Sequence, residues 1–378
     1  MTAPARLLVV GGGVTALAVA RRLAALGHVV DRADLPGPSA PPGGGGGPPL
    51  LLNDAALALI AELFGASVLD RLPGHRIAAR RVAWAGAEPV VRDQAALTIR
   101  SGALRAALAD TPATGPAPRA IGPVPAEDGR ALEAFVAGYV GAVDATGGTA
   151  ALARAFGAMR WPLGRRAMVA AEAVLSDDAP GDTARIETVG DGWLFLAPLG
   201  GGRAALQLMA ARRPEDLLAA LVGALGRAPG MAGLIADAGP PAVVDAAPAW
   251  TEPPVRRPDF LPLGLYAVGE AAAAFDPVSG EGVPAALRGA LLAAACLDAA
   301  ARGRVPAPAA AGHYADRLAL SLGAHLDGCR SFYTEAFGDD SAWAVELAAG
   351  DPAVLAAPAP EDLGHTLQDG HLVPASGP

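Results

Sequence analysis

Apolar positions change period along the chain, and the changes mark the elements. Leu7-Leu8-Val9-Val10 is a continuous apolar run of strand length, broken by Gly11-Gly12-Gly13. The next apolar positions, Leu17, Ala20, Leu23 and Ala24, recur at helical spacing up to Gly27, and a short second strand, His28 to Asp34, follows. Together they predict a βαβ start. Glycines at Gly11 and Gly13, closed by the small Ala16, have the spacing of a dinucleotide fingerprint. A strand that turns this tightly into a helix points backbone N–H groups at a docked anion, and the helix dipole adds partial positive charge. A carboxylate at the tip of the second strand would accept from ribose hydroxyls. Asp34 is the best placed, Asp31 is its rival, and a solvated turn residue is the bland reading of either.

Further along, helical spacing from Asn53 to Phe64 has Asn53 or Asp54 as its cap, and short strands are predicted through Arg80 to Thr98. Leu97 to Arg100 leads into a helix capped by Ser101, with Leu104 and Leu108 on one face. Residues 111 to 130 read as a proline-rich loop. A strand over Phe135 to Val143 ends in Asp144-Ala145-Thr146-Gly147-Gly148, a small-residue turn where open α/β sheets bind ligands. Residues 165 to 210 alternate as strands do, with a glycine turn at Gly200 to Gly202. Leu265 to Glu270 is a strand. It leads through Asp276-Pro277-Val278-Ser279-Gly280-Glu281-Gly282-Val283-Pro284 into a long helix from Ala285, and helical periodicity resumes from His313 to Leu347. The tail after Pro352 reads as loosely ordered. Pro36 to Pro49, with Gly43 to Gly47 consecutive, sustains neither helix nor strand and is either a lid or a plain surface excursion.

The 378 residues are 52% apolar, enough for a sizeable core in two or three domains. Net charge of −9 and a pI near 5.2 leave no basic footprint for nucleic acid or an anionic membrane surface. Only Cys296 and Cys329 are present, so a disulfide scaffold is not expected and a reducing, cytoplasmic setting is. The glycine turn and amphipathic helix explain the first residues better than an export signal does. The alanine-rich segment Gly289 to Ala301 is short and carries Asp298, so no membrane-spanning helix or stable membrane insertion is expected. None of the six histidines has metal-ligand spacing; His75, His313 and His325 read as surface or packing residues, and no metal is expected. All 29 basic side chains are arginine, so the chain has no lysine amine.

Three pieces in this order, the turn at Gly11 to Ala16, the strand end at Asp144 to Gly147, and the run from Gly269-Glu270 through Asp276-Pro277 to Gly280-Glu281-Gly282, resemble the FAD-dependent monooxygenase and flavin-dependent halogenase superfamily. That resemblance covers nearly the whole chain. It implies an α/β fold of the para-hydroxybenzoate hydroxylase type: an FAD-binding Rossmann-like (GR2-type) domain, an inserted mixed β-sheet substrate domain and a C-terminal helical region. The corresponding boundaries are 1–60, 97–160 and 255–302 for the first, 61–96 and 161–254 for the second, and 303–378 for the third. The implied cofactor is FAD. Its contacts would be Gly11, Gly13, Ala16, Asp34, Arg100, Asp144, Gly147, Glu270, Gly280, Gly282 and Val283, with Arg100 toward the phosphates. Glu270 stands where the family usually has aspartate. Pro277 and Glu281 would lie beside the flavin, Glu281 as a proton-handling group or a structural acceptor.

Gly192-Trp193-Leu194-Phe195-Leu196-Ala197-Pro198-Leu199 partly resembles the tryptophan-rich stretch of halogenases, with Phe195 for the second tryptophan and Ala197 for isoleucine. Those enzymes depend on a lysine amine, which disfavours halogenation here. The resemblance then implies hydroxylation of an electron-rich aromatic, an indole or phenol, through a flavin hydroperoxide. Electrons would come from NAD(P)H or a separate reductase. His325 to Tyr333 and Trp343 are similar to the branch that acts on a tryptophan of another polypeptide while a quinone cofactor matures, so the substrate is a small aromatic or a peptide of a partner protein. A prenyl-reductase-type dehydrogenase and a non-catalytic flavin-binding assembly factor are the alternatives.

Overall fold

The computed structural model describes residues 4–35, 46–113, 115–125, 129–254, 260–348, 359, 363–368 and 370–375. Most of the glycine-rich loop expected from Pro36 to Pro49 lies outside them. In chain order the elements are β1 (Arg6–Val10), α1 (Val14–Ala25), β2 (Val29–Ala33), β3 (Pro49–Asn53), α2 (Asp54–Phe64), β4 (His75–Ala83), β5 (Val90–Arg100), α3 (Ser101–Ala109), β6 (Arg119–Ala120), α4 (Gly129–Val136), β7 (Gly141–Asp144), α5 (Ala151–Ala155), β8 (Arg160–Pro162) and β9 (Ala167–Leu175). They continue with β10 (Thr183–Val189), β11 (Gly192–Gly200), β12 (Arg203–Ala210), α6 (Leu217–Leu225), α7 (Pro229–Ala232), β13 (Ile235–Ala238), β14 (Ala242–Asp245), β15 (Ala249–Thr251), β16 (Gly264–Ala267), β17 (Ala273–Ala274), α8 (Gly282–Ala301), α9 (Ala307–Phe337), α10 (Ala342–Ala348), β18 (His365–Gln368) and β19 (His371–Pro374).

A five-stranded parallel sheet, in the order β16-β7-β1-β2-β6, carries the amino-terminal motif at its centre. Leu7 and Val9 of β1 face a core shared with α1, α2 and α8, while Leu8 and Val10 face one shared with α4. Burial on both faces is why this strand reads as an unbroken apolar run. A larger sheet runs β13-β9-β12-β11-β10-β4-β5-β3, with β14 beside β9. Leu194 and Leu196 of β11 pack under α6 and α7, and the alternate Trp193 faces α9 and α10. The smaller sheet β17-β15-β8 lies between the two in sequence, and β18–β19 forms a hairpin.

Several local expectations are corrected. Phe135 lies in α4, and the strand proper starts at Gly141, because the apolar run Ala131 to Val136 packs as a helix against β1. α3 has Arg100, not Ser101, at its N-cap and no side-chain cap bond, whereas α2 is capped as expected by Asn53 accepting from the Ala56 amide at 3.0 Å. Glu270 falls in a single 3-10 turn after β16, not in the strand. Pro49 to Asn53 pairs with β5, so this strand belongs to the larger sheet although it precedes residue 60. The tail contains a hairpin whose Leu372 enters the main core.

α8 is 20 residues and by length and composition could cross a membrane, but 72% of its apolar window is buried inside the molecule. Near its end Asp298, fully buried, accepts from His28 Nε2 at 3.0 Å and Arg302 Nε at 2.6 Å and pairs with Arg304. Burial alone would raise this carboxyl, but the hydrogen bonds and arginine charges overcome it and hold it at about 2.

Candidate active site

The site is assembled at the C-terminal edge of the parallel sheet. Gly11 has φ +135°, and a Cβ there would overlap the Ala145 carbonyl, so the turn after β1 is pressed against the turn after β7. Gly13 is the N-cap of α1, with no side-chain cap and no acidic residue in the first turn, and a Cβ added to it meets nothing within 4 Å. The helix therefore offers free amides and the positive end of its dipole to an open space. Ala16 is fully buried one turn in, which lets α1 lie close to the sheet.

At the tip of β2 the two candidate acids part company. Asp31 is fully buried and consumed: Arg119 donates twice at 2.8 and 2.9 Å, Arg6 at 3.0 Å and the Tyr139 hydroxyl at 2.9 Å. These partners hold it below the usual carboxylate range, the Arg119 hydrogen bonds most of all, against the opposing effect of burial. Asp34 is exposed, and its Oδ1 lies 2.8 Å from where a Gly12 Cβ would stand. Of the pair, only Asp34 has its carboxylate at the mouth of the glycine turn.

Asp144 closes β7 fully buried. Its Oδ1 accepts from the Thr146 amide at 2.9 Å and hydroxyl at 2.6 Å, and Oδ2 from the Ala153 amide at 2.7 Å. Burial pushes its carboxyl up despite these donors. Its part is to shape the turn rather than to touch what lies above it. Gly147, at φ +70°, and Gly148 bring that turn to Glu270: their added Cβ atoms would stand 3.9 and 4.0 Å from Glu270 Oε2. Gly269, at φ +61°, faces the start of α1, its added Cβ 2.8 Å from Thr15 Oγ1. The turns after β1, β7 and β16 thus abut one another. Arg160, which the sequence reading passed over, braces the last by donating to the Glu270 carbonyl at 2.9 Å and the Thr251 hydroxyl at 2.8 Å.

After β17 the chain makes a second turn. Asp276, fully buried, accepts from the Val278 amide at 3.0 Å and starts a 3-10 turn with the exposed Pro277 at its first position. Gly280, at φ +66°, ends that turn; a Cβ at Gly280 or Gly282 meets nothing within 4 Å. α8 then begins with Val283 in its first turn and, again, no side-chain cap. Glu281 is not poised alone: its Oε2 accepts from Arg288 at 3.1 Å. Arg100 is paired with Glu172 of β9, which also binds Arg203.

Residues the sequence reading did not assign surround this second turn. Arg166, 1% exposed, lies 3.3 Å from Asp276 Oδ2, the Tyr333 hydroxyl donates to Oδ1 at 2.7 Å, and the Asp276 amide donates to His325 Nε2 at 2.7 Å. His325 is thus an acceptor at the turn rather than a surface residue. Trp343 stacks on Tyr333 and Phe337 at centroid distances of 4.6 and 5.5 Å, and Trp84 meets Trp193 and Phe332 edge-on at 6.3 and 6.4 Å. Among the described residues no group of three or more His, Cys, Asp or Glu side chains is placed to hold a metal.

The donor set fits one elongated dinucleotide. An uncapped helix start takes a diphosphate, a free carboxylate beside it takes a ribose, the abutting middle turns take a polyol, and a second uncapped helix start behind glycines takes a flat anionic ring. The fold that presents this set is that of the flavin-dependent halogenases and monooxygenases. Similar structures are the myxobacterial chondrochloren halogenase CndH, described as a variant of FAD-dependent halogenases (TM-score 0.72, 18% identity, 91% of this chain and 85% of that one), and the peptidyl tryptophan dihydroxylase QhpG, described as essential for tryptophylquinone cofactor biogenesis (0.69, 19%, 99% and 86%). The flavin-dependent halogenase CmlS is another (0.70, 20%, 94% and 70%). No family model and no curated protein matches the sequence.

Proposed function

We propose that this chain is an FAD-dependent monooxygenase that hydroxylates an electron-rich aromatic. The observation that carries the reading is the convergence of the turns after β1, β7 and β16 on one sheet edge, through the close approaches of Gly11 to Ala145, Gly269 to Thr15 and Gly147 to Glu270. Gly13 and the α1 amides would hold the diphosphate, Asp34 the adenosine ribose, and Glu270 the ribityl hydroxyls, with Arg100 approaching the phosphates if it leaves Glu172. Gly280, Gly282 and the start of α8 would face the redox ring, whose chemistry when bound is the activation of dioxygen. Pro277 shapes that face. Glu281, tied to Arg288, serves as a structural acceptor or, released from it, a proton-handling group.

The aromatic surface of Trp84, Trp193, Phe332 and Phe337 supports an aromatic substrate, because such faces stack flat rings and exclude water. The likeness to a peptidyl tryptophan dihydroxylase extends the proposal to an indole, free or in a peptide. The absence of lysine favours hydroxylation over halogenation. The test is to load purified protein with FAD and follow aromatic-dependent oxygen consumption with a reductant, alongside hydrogen peroxide. Oxygenated product with tight coupling supports the reading. Product formed without oxygen favours a reductase, and failure to retain FAD sinks both.

A further inference from the structure

The Asp276–Gly282 turn is held from its outer side by three elements distant in sequence. Arg166 arrives just ahead of β9; His325 and Tyr333 come from α9, eight positions apart and therefore on one helix face together with Cys329 and Phe337. Asp276 is gripped on its backbone amide by His325 Nε2 at 2.7 Å, on Oδ1 by the Tyr333 hydroxyl at 2.7 Å, and near Oδ2 by Arg166 Nη1 at 3.3 Å. Asp276 Oδ2 and Arg166 Nε and Nη1 are buried without a hydrogen bond. A buried charge pair so sparsely satisfied adds little stability, and its best use is to fix a geometry. Burial, with the Arg166 charge, holds His325 at about 4, which leaves the lone pair that Asp276 needs available at neutral pH.

We propose that His325, Tyr333 and Arg166 are positioning residues that clamp the Asp276–Gly282 turn, so that Pro277, Gly280 and Gly282 keep a fixed face toward the redox ring. The proposal rests on the FAD reading above. It also gives α9 a double duty. The helix that contributes Phe332 and Phe337 to the aromatic surface sets the turn on the flavin side, so the two halves of the site share one rigid element.

The experiment compares His325→Leu, His325→Gln and Tyr333→Phe with wild type. Glutamine can still accept from the Asp276 amide, and phenylalanine keeps the stack on Trp343. In flavin-free protein, amide exchange of the peptide spanning 274–284 should rise about tenfold in His325→Leu and Tyr333→Phe and return to within about threefold of wild type in His325→Gln. FAD affinity should fall about tenfold in the same two variants, with a shifted visible band of the bound flavin, and recover in His325→Gln. Unchanged exchange in folded variants overturns the clamp. Raised exchange with unchanged flavin affinity and spectrum overturns its positioning role. If His325→Leu does not fold, Tyr333→Phe carries the same comparison. Wild-type protein that takes up no FAD overturns the functional reading instead, and the exchange data still decide whether the clamp exists.

Discussion

Gly13→Asp separates folding from cofactor retention at a single position. Gly13 has an ordinary backbone, φ −80° and ψ 177°, and a Cβ there meets nothing within 4 Å, so the fold accepts a side chain. Aspartate is also a better N-cap than glycine, by a few tenths of a kcal/mol, and an acid in this position gains about 0.3–1 kcal/mol from the helix dipole. The flavin-free variant should therefore melt at or slightly above the wild-type temperature. For a diphosphate the same carboxylate is a like charge in the space it must enter. At a separation of roughly 4 Å and an effective dielectric constant near 20, one pair of unit charges costs about 4 kcal/mol, close to a thousandfold in affinity. Fluorescence titration of apo protein with FAD, beside a circular dichroism melt, reads both effects. A variant that melts normally and binds FAD within threefold of wild type would refute the placement of the diphosphate.

Gly11→Ala should do the reverse, destabilising the protein by about 2 kcal/mol or more in denaturant titration, because φ is +135° and the methyl overlaps the Ala145 carbonyl. Asp298, ordinarily near 3.8 and held at about 2, contributes stability that is complete above pH 4 and lost as pH falls toward 2. Asp298→Asn should flatten that limb, costing about 2 kcal/mol at neutral pH in the same titration. His313 and His325 are both pushed from 6.5 to about 4, chiefly by burial, so the unfolded chain binds more protons between those values and stability falls as pH drops from 6.5 to 4. His325→Gln should reduce that slope, and an unchanged slope would contradict the burial of a neutral imidazole. Trp343→Ala empties a packed aromatic stack and should cost about 3–5 kcal/mol in chemical denaturation.

What could be read in the sequence is what physics makes local. The β1 turn was legible because a doubly buried strand shows an unbroken apolar run and the close approach behind it demands glycine at fixed spacing. The β11 and β12 strands were legible because one face differs from the other in period two. Phe135 was misplaced because a short apolar run suits a buried helix and a buried strand equally. β3 was assigned to the wrong sheet because nothing in Pro49 to Asn53 says that its partner is β5, whose paired residues lie 43 to 51 positions on. Asp31 and Asp34 were equivalent on paper. Only Arg119, 88 residues from Asp31, removes one of them from contention.

The second turn shows the same limit in the site itself. Gly280, Gly282 and Pro277 announce a special backbone, since glycine and proline carry their conformational meaning within a few residues. The groups that hold that backbone announce nothing: a histidine, a tyrosine and an arginine are ordinary residues until the fold delivers them. His325 and Tyr333 stand 49 and 57 residues beyond Asp276, and a helical pattern explains both as packing. The signal that would have found them is the i, i+4 series His325, Cys329, Tyr333, Phe337 on a helix otherwise rich in alanine and leucine, one polar-aromatic stripe that must face a polar partner. In this chain that partner is the buried Asp276, and a carboxylate with no exposure requires donors from outside its own turn, whatever ligand the turn serves.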